Sequence, residues 1–280
     1  MSTTKKIILW VAAIVLMVVI VIYQRATGPT YPQKGSMELS GSEINYKLLR
    51  SHEIGMNAPV EVVAPDKAVI GKIKIKRYKS HDEWSELDMI REGDLLKSEL
   101  PEQLPAGKVM YHIFVGKDVN NLTALTPEPI VLRYKGVVPL WILYPHIGFM
   151  ILSFAFAMRV ALEAAFKGSE VLKMSYITLG LFAFGGLVLG PLVQWYAFGA
   201  FWTGWPFGKT ILHFGDLTDN KTLASILIWI FAIIRIKKHP NQTWWAWLAT
   251  LVMIAVYLIP HSMLGSEIDF REVEAQTGVN

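Results

Sequence analysis

The sequence predicts an integral membrane protein that carries one all-β domain outside the bilayer. Four long apolar runs lie in the last half of the chain, and a fifth lies at its N-terminus. A polar stretch of about 110 residues, the length of one domain, separates the first run from the second. Only 18% of the residues are charged, against about 25% in soluble domains. The expected fold is a multi-domain membrane protein with an N-terminal transmembrane anchor, an extracytoplasmic β-sandwich and a four-helix transmembrane bundle, five spans in total.

The apolar runs set the predicted domain boundaries. The runs cover residues 7–23, 138–158, 174–198, 217–236 and 244–264. The chain then divides into an anchor (residues 1–26), the β domain (27–137), the four-helix domain (138–264) and a tail (265–280). The first run could also be a cleaved signal peptide. Its exit, from Tyr23 to Thr27, has no small-x-small cleavage signal, which favours an uncleaved anchor.

Basic residues predict the orientation of the spans. They are Lys5 and Lys6 before the first span, Arg159, Lys167 and Lys173 after the second, and Arg235, Lys237 and Lys238 after the fourth. All three groups fall on one side of a five-span topology, and basic residues mark the cytoplasmic side. We therefore expect the N-terminus inside and the β domain and tail outside. The simplest location is the cytoplasmic (inner) membrane of a bacterium.

The polar stretch carries strand signals. Ile73, Ile75 and Tyr78 alternate with basic residues, which is typical of a half-buried strand. Residues 109–115 are apolar on both faces apart from His112, which we interpret as a satisfied core histidine in a central strand. Further candidate strands cover residues 44–49, 60–63, 95–100 and 129–134. Six or seven short strands in a domain of this size favour a β-sandwich.

One segment of this domain is more specific. Residues 100–111 read Leu-Pro-Glu-Gln-Leu-Pro-Ala-Gly-Lys-Val-Met-Tyr. This resembles the approach to the next-to-last strand in fibronectin type III-like and immunoglobulin-like domains, over about residues 40–136. The resemblance implies that Tyr111 packs its hydroxyl back onto the turn, and that the domain docks an extracytoplasmic protein partner. The acidic insert at residues 81–94 departs from the pattern and is expected to form a short helix or a bulging loop.

The composition excludes several kinds of chemistry. The chain has no cysteine, which excludes disulfides, thiolate metal sites and a cysteine nucleophile. It has no phosphate-binding glycine loop, no His-Glu-x-x-His and no Gly-x-Ser-x-Gly. It also lacks a dense basic block, so nucleic acid is not an expected partner. No catalytic residue is assigned.

Two histidines are the candidate cofactor-binding residues. His146 and His261 both follow a proline and fall toward the predicted outer leaflet. Proline removes a backbone donor from the helix, and within lipid the freed carbonyl needs another partner. Each Pro–His pair therefore predicts a locally opened helix beside a titratable ring. The expected cofactor is haem b, a metal ion or a quinone.

Acidic residues at the same level extend this cluster. His213, Asp216, Asp219 and Glu267 are the candidate metal ligands, because ionisable groups at membrane depth are functional candidates. The alternative is a helix cap, in which Asp216 or Thr218 caps the fourth span and Asp219 favours its dipole. This span has too few apolar residues to cross the bilayer unless it also recruits residues 219–221.

Three further features of the apolar half are an aromatic loop, a pair of glycines and a pair of opposite charges. The loop over residues 194–214 is rich in aromatic residues and forms either an outer aromatic belt or a lid over a cavity. Gly186 and Gly190 form a Gly-x-x-x-Gly that permits close helix packing. Arg159 and Glu163 are four residues apart and are expected to pair at the inner interface.

Three functions fit these observations. The leading hypothesis is a non-enzymatic accessory or assembly membrane protein that docks a partner through the β-sandwich. The second is a membrane redox subunit that binds its cofactor through His146 and His261 and takes part in electron transport. The third is a metal-dependent enzyme at the outer leaflet that uses the histidine and acid cluster.

Overall fold

The chain forms two compact units, each built from two separate stretches of sequence. The helix unit contains residues 1–28 and 138–265, and the β unit contains residues 29–137 and 266–280. The computed structural model describes residues 1–204, 217–259 and 267–277. The N-terminal helix therefore belongs with the later helices, and the C-terminal end of the chain belongs with the β domain.

The helix unit follows the apolar runs. Its helices are α1 (Thr3–Thr27), α2 (Leu140–Ala165), α3 (Val171–Ala183), α4 (Gly190–Phe198), α5 (Leu217–Lys238) and α6 (Trp244–Leu258). A π-helical segment, Phe184–Leu189, joins α3 to α4 without a break. The helix α5 begins at Leu217 and therefore includes residues 219–221. That this helix crosses the bilayer as the fourth span stays a prediction.

Three of these helices are long and apolar enough to cross a bilayer, within the part of the chain that the structure describes. They are α1, α2 and the continuous helix from Val171 to Phe198. The apolar α6 is shorter, at 15 residues. The architecture of an apolar N-terminal helix, a β-rich middle and several apolar helices is confirmed. The count of five spans and their orientation stay predictions.

A buried ion pair lies inside the helix unit. Arg159 Nη1 is 2.6 Å from Glu163 Oε2, and the two side chains are 0% and 1% exposed. The predicted pairing of these residues is confirmed. The Trp10 ring of α1 lies 5.8 Å from the Arg159 guanidinium. The opposite charges offset part of the cost of burying each other. Among the described residues, the Arg159 guanidinium nitrogens have no well-aligned hydrogen-bond partner.

Eleven strands form two sheets in the described part of the β unit. They are β1 (Gln33–Leu39), β2 (Ser42–Leu48), β3 (Ser51–Glu53), β4 (Ala58–Val63), β5 (Ile70–Arg77), β6 (Ser85–Asp88), β7 (Ile90–Glu92), β8 (Leu95–Leu100), β9 (Lys108–Asp118), β10 (Asn121–Ala124) and β11 (Ile130–Lys135). One sheet has the order β1-β2-β4-β8-β7 and the other the order β3-β11-β9-β5-β6, with β10 beside β9. The pairing is antiparallel except between β3 and β11.

The inner faces of the two sheets share one apolar core, as in a β-sandwich. Val60 and Val62 of β4 and Ile73 of β5 are all less than 5% exposed, and their strand neighbours point outward. This alternation confirms the predicted half-buried strands. The Nε2 atom of His112 in β9 lies 2.7 Å from the Thr126 carbonyl oxygen, so the ring is hydrogen-bonded as predicted. The side chain is half-buried, so its predicted place in the core is wrong.

Two details of the predicted β domain are wrong. The acidic insert at residues 81–94 forms neither a helix nor a bulging loop, because it supplies the strands β6 and β7. The Tyr111 hydroxyl donates to the Leu49 carbonyl, at 2.7 Å, and not to the turn before β9. Tyr134 of β11 makes the contact expected of Tyr111, since its hydroxyl donates to the Leu100 carbonyl at 3.0 Å. Burial raises the pKa of Tyr134 to about 12, so it stays a donor at neutral pH.

The C-terminal end of the chain is attached to the β unit by buried charges. Glu267, whose side chain is 7% exposed, lies 2.6 Å from both Lys79 and Lys108. The helix α7 (Phe270–Thr277) follows, and Phe270 is buried with the Arg77 guanidinium 4.6 Å from its ring centroid. These contacts hold α7 against the strands of its own unit.

We expect acid to weaken the β unit through Glu267. Burial acts to raise the pKa of Glu267, but hydrogen bonds from Lys108 and Lys79 outweigh burial and hold it below its ordinary value. Its stabilisation is therefore complete above about pH 4.3, the ordinary pKa of glutamate, and is lost as the pH falls through the lowered value. Glu267→Gln should cost about 3 kcal/mol at pH 7 and flatten the acid side of a plot of thermal midpoint against pH.

The matched control is Glu53→Gln, which removes a carboxylate that is more than half exposed and 3.5 Å from Lys135. Exposed pairs contribute at most about 1 kcal/mol. If both variants of the full chain melt at the same temperature at pH 7, the buried role of Glu267 is wrong.

Candidate functional site

The candidate site is built around His146 in α2. The helix continues through Pro145, which has no N–H to donate to the carbonyl four residues earlier. The Nδ1 atom of His146 lies 2.9 Å from the Gly185 carbonyl oxygen. That oxygen also accepts the N–H of Gly190. His146 thus binds a carbonyl within the π-helical segment, a kind of irregularity that is frequent at functional sites.

This hydrogen bond decides which ring nitrogen is available. A carbonyl oxygen can only accept, so Nδ1 of His146 carries the proton. In the neutral ring, Nε2 then has a lone pair that can accept a hydrogen bond or bind a metal. Within the part of the chain that the structure describes, Nε2 has no hydrogen-bond partner.

Glycines let the π-helical segment approach its neighbours. A Cβ atom at Gly185 would lie 3.1 Å from both Met150 and Phe149 of α2, and one at Gly186 would lie 2.9 Å from Thr222 of α5. The predicted close packing through Gly186 is therefore present. Gly190 is looser, because its Cβ would be 3.8 Å from the His146 ring.

A cavity of about 460 Å³ opens beside His146 inside the helix unit. Most of its walls are apolar and come from α1, α2, the α3–α4 helix and α6. They are Val21, Leu143, Ile147, Met150, Ile151, Phe154, Phe182, Val193, Met253 and Val256. Its polar lining consists of His146 with Gln24, Arg25, Lys221, Thr222 and Tyr257.

Two cations that line this cavity, Lys221 and Arg25, were not predicted as site residues from the sequence. Lys221 of α5 is only 6% exposed, and its ammonium donates to the Ile259 carbonyl at 2.6 Å. Arg25 of α1 has no carboxylate within 4 Å among residues 1–204, 217–259 and 267–277. In the sequence, Arg25 only marks the end of the N-terminal anchor, and Lys221 only marks the start of the fourth apolar run. Only the packing of both α1 and α5 against α6 brings them to one cavity.

Asp219 holds the start of the aromatic loop. Its Oδ2 atom accepts the N–H groups of Thr203 and Gly204, at 2.7 and 3.0 Å, and lies 3.3 Å from the Gln194 amide. Gly204 is needed there, since a Cβ would come within 2.6 Å of Asp219. This carboxylate therefore fixes backbone on the N-terminal side of α5, in addition to lying in the favourable first turn of that helix.

The remaining predicted site residues are less informative. His213, Asp216 and His261, and the aromatic residues from Trp205 to Phe214, lie outside the described residues. Glu267 belongs to the β unit and is engaged by two lysines. In the described ranges, no three histidine, aspartate or glutamate side chains form a group that could hold a metal ion. The four-residue metal site stays a prediction.

Comparison with known proteins adds no functional assignment. No protein-family model, no curated protein and no solved structure is significantly similar to this chain.

We expect the glycine contacts of the π-helical segment to be necessary for the packing of the helix unit. Gly186→Ala would press a methyl group against the stiff, β-branched Thr222 and should cost about 1–3 kcal/mol. Gly180→Ala is the matched control, because its Cβ would meet no atom within 4 Å, and alanine is the better helix former by about 1 kcal/mol. Thermal midpoints of the two variants in detergent should move in opposite directions, and equal midpoints would contradict this packing.

Proposed function

We propose that this chain is a non-enzymatic accessory protein of a bacterial cytoplasmic membrane that holds a prenyl quinol at His146. One observation carries the proposal. The Gly185 carbonyl fixes the proton on Nδ1 of His146, which leaves Nε2 as a hydrogen-bond acceptor at the edge of a mostly apolar cavity.

The size and walls of the cavity suit such a ligand. Binding pockets for small molecules usually enclose about 300–1,000 Å³, and this cavity has about 460 Å³. Its apolar side chains favour an aromatic ring and the first units of an isoprenoid tail. The tail itself can leave between helices into lipid, so the cavity needs to enclose only the headgroup.

The polar lining matches the two ends of a quinol ring. A quinol hydroxyl donates a hydrogen bond, which the Nε2 atom of His146 can accept. The oxygen on the opposite side of the ring can accept one from Arg25 or Lys221, both of which line the cavity. Haem b would need a second axial ligand such as His261, which lies outside the described residues. The quinol proposal rests on described residues alone.

The proposed topology is consistent with this ligand. With the N-terminus inside, Lys5 and Lys6 lie at the cytoplasmic face, and Arg25 at the other end of α1 lies toward the outer leaflet. His146 is six residues from the start of α2, at Leu140, which corresponds to about 9 Å along the helix axis. A quinol headgroup at this depth would lie just below the interface while its tail stayed in the hydrocarbon.

Full-length protein purified under reducing conditions should retain a prenyl quinol that His146→Ala loses. Removing one hydrogen bond to the headgroup costs about 1–1.5 kcal/mol, or about a tenfold loss of affinity. Chromatography and mass spectrometry of the bound lipids would measure the retained quinol, and native mass spectrometry would measure binding of a short-chain benzoquinol. His239→Ala is the matched control, because His239 is exposed in the turn between α5 and α6. Equal retention by wild type and His146→Ala would rule out the site.

The second proposed role is partner docking by the β unit, which we assign to a fibronectin type III-like or immunoglobulin-like fold. A groove of about 540 Å³ supports it. The groove lies across β1, β2, β4 and β8, where β2 pairs with β4 through only two residue pairs. Tyr46, Val63 and Leu95 supply apolar contacts in it, and Lys34, Lys47 and Glu61 supply charges. A protein surface with a central apolar strip and an acidic rim would complement this groove.

A photo-crosslinking residue at Val63 should capture one discrete partner in intact cells. The same residue at Ile90, which is 70% exposed on β7 of the same sheet, should not. Lys34→Glu combined with Lys47→Glu should abolish the Val63 adduct, because both cations line the groove. Adducts of equal yield at Val63 and Ile90 would contradict a docking role for the groove.

A further inference from the structure

A second cavity in the helix unit lies at the other end of α1 from Arg25. It has about 430 Å³ and is lined by Lys5, Ile8 and Leu9 of α1 and by residues 166–169, which follow α2. Lys6 and Arg25 are 19 residues apart on one helix, which corresponds to about 30 Å. The cavity is therefore a separate site from the one at His146, and it does not depend on the proposed function.

Ion pairs beside this cavity connect the helices that line it. Lys6 Nζ lies 2.5 Å from Glu170 Oε1, which ties α1 to the turn between α2 and α3. The hydrogen bond from Lys6 holds the pKa of Glu170 below its ordinary value. The second carboxylate, Glu163, accepts the Glu170 N–H through Oε1 at 3.2 Å and is paired with Arg159 through Oε2. A Cβ at Gly168 would overlap Glu163, so the turn needs glycine there.

Two cations at the rim of the cavity, Lys5 and Lys167, take no part in these ion pairs. Glu170 engages Lys6, and Glu163 engages Arg159. Lys5 and Lys167 both line the cavity and are exposed. In the described residues, neither has a carboxylate within 4 Å. The cavity thus presents two positive charges that no described carboxylate compensates.

Lys167 occupies a backbone position that favours glycine. Its φ is +52°, in the left-handed region. It follows the last turn of α2, where the N–H groups of Lys167 and Gly168 bond the carbonyls of Ala164 and Glu163. Helices usually end in this way at glycine, because a side chain is strained there. Lysine does not stabilise this backbone conformation, so its role lies in the charged side chain.

We propose that this cavity binds the phosphodiester headgroup of an anionic phospholipid between Lys5 and Lys167. The apolar walls of the cavity suit the acyl chains of such a lipid. Phe166 and Ile8 are 64% and 58% exposed, so an acyl chain can lie against them directly below the phosphate. The exposed face of α1 continues this surface through Val11, which is 56% exposed. Cationic residues beside apolar surface at the end of a span are the usual recognition elements for anionic lipid.

Native mass spectrometry of the full chain in detergent would test this site with defined lipids. We expect wild type to bind phosphatidylglycerol in preference to phosphatidylcholine with the same acyl chains. Lys5→Gln combined with Lys167→Gln should lower that preference by at least about fivefold, and leave phosphatidylcholine binding unchanged. Lys67→Gln combined with Lys74→Gln removes two exposed positive charges from the β unit, outside its groove, and should leave the preference unchanged.

Lys167→Gly separates lipid binding from folding. It should lower the preference for phosphatidylglycerol while the thermal midpoint of the lipid-free protein stays equal or rises, because glycine suits the left-handed position. An unchanged preference in the Lys5/Lys167 double variant would overturn the proposal. Binding of glycerol 3-phosphate, without a preference between the two lipids, would assign a soluble phosphate ligand and would also overturn it.

Discussion

Lipid offers no hydrogen bonds to a peptide backbone, so backbone groups that a regular helix does not pair must find a partner inside the protein. The packing of the helix unit depends on one such partner. The π-helical segment between α3 and α4 alters the ordinary helix pattern, and the Gly185 carbonyl within it is available to a side chain. His146 of α2 donates to that carbonyl and so joins the two helices. The same bond fixes the imidazole tautomer and places an acceptor at the cavity. Packing and the candidate chemistry therefore rest on one contact.

Buried charge is the second constraint, and it is met by ion pairs or by backbone groups. Asp219 accepts the N–H groups of Thr203 and Gly204, and Lys221 donates to the Ile259 carbonyl. Arg159 and Glu163 are fully buried together in the helix unit, and Glu267 is buried with Lys108 in the β unit. An unpaired buried charge would destabilise either unit by several kcal/mol. The cations with no described acidic partner, such as Arg25, Lys5 and Lys167, lie instead at cavity rims. The buried ion pairs therefore have a structural role, whereas the exposed cations at the rims are free to bind anionic or polar ligands.

The β unit shows where strand patterns carry information and where they do not. Strands with strict alternation or continuous apolar sequence, such as β4 and β9, were predictable because one or both faces are buried. The short strands β6 and β7 were not, since they are edge strands of mostly polar sequence whose pairing depends on β5 and β8. Tyr111 and Tyr134 illustrate the same limit. Each is a buried tyrosine near a turn, and only the sheet order decides which carbonyl its hydroxyl meets.

The sequence by itself determined that apolar helices flank a β-rich domain, that α5 begins with charged residues, and that Arg159 pairs with Glu163. These features depend on local composition or on residues one helical turn apart, so the physical cause lies within a short window. Only the tertiary structure decided that Arg25 and Lys221 meet at the His146 cavity, that Asp219 binds the backbone of Thr203 and Gly204, and that the C-terminal helix joins the β unit. These contacts join residues far apart in the chain, and no local pattern of hydrophobicity or charge specifies the partner.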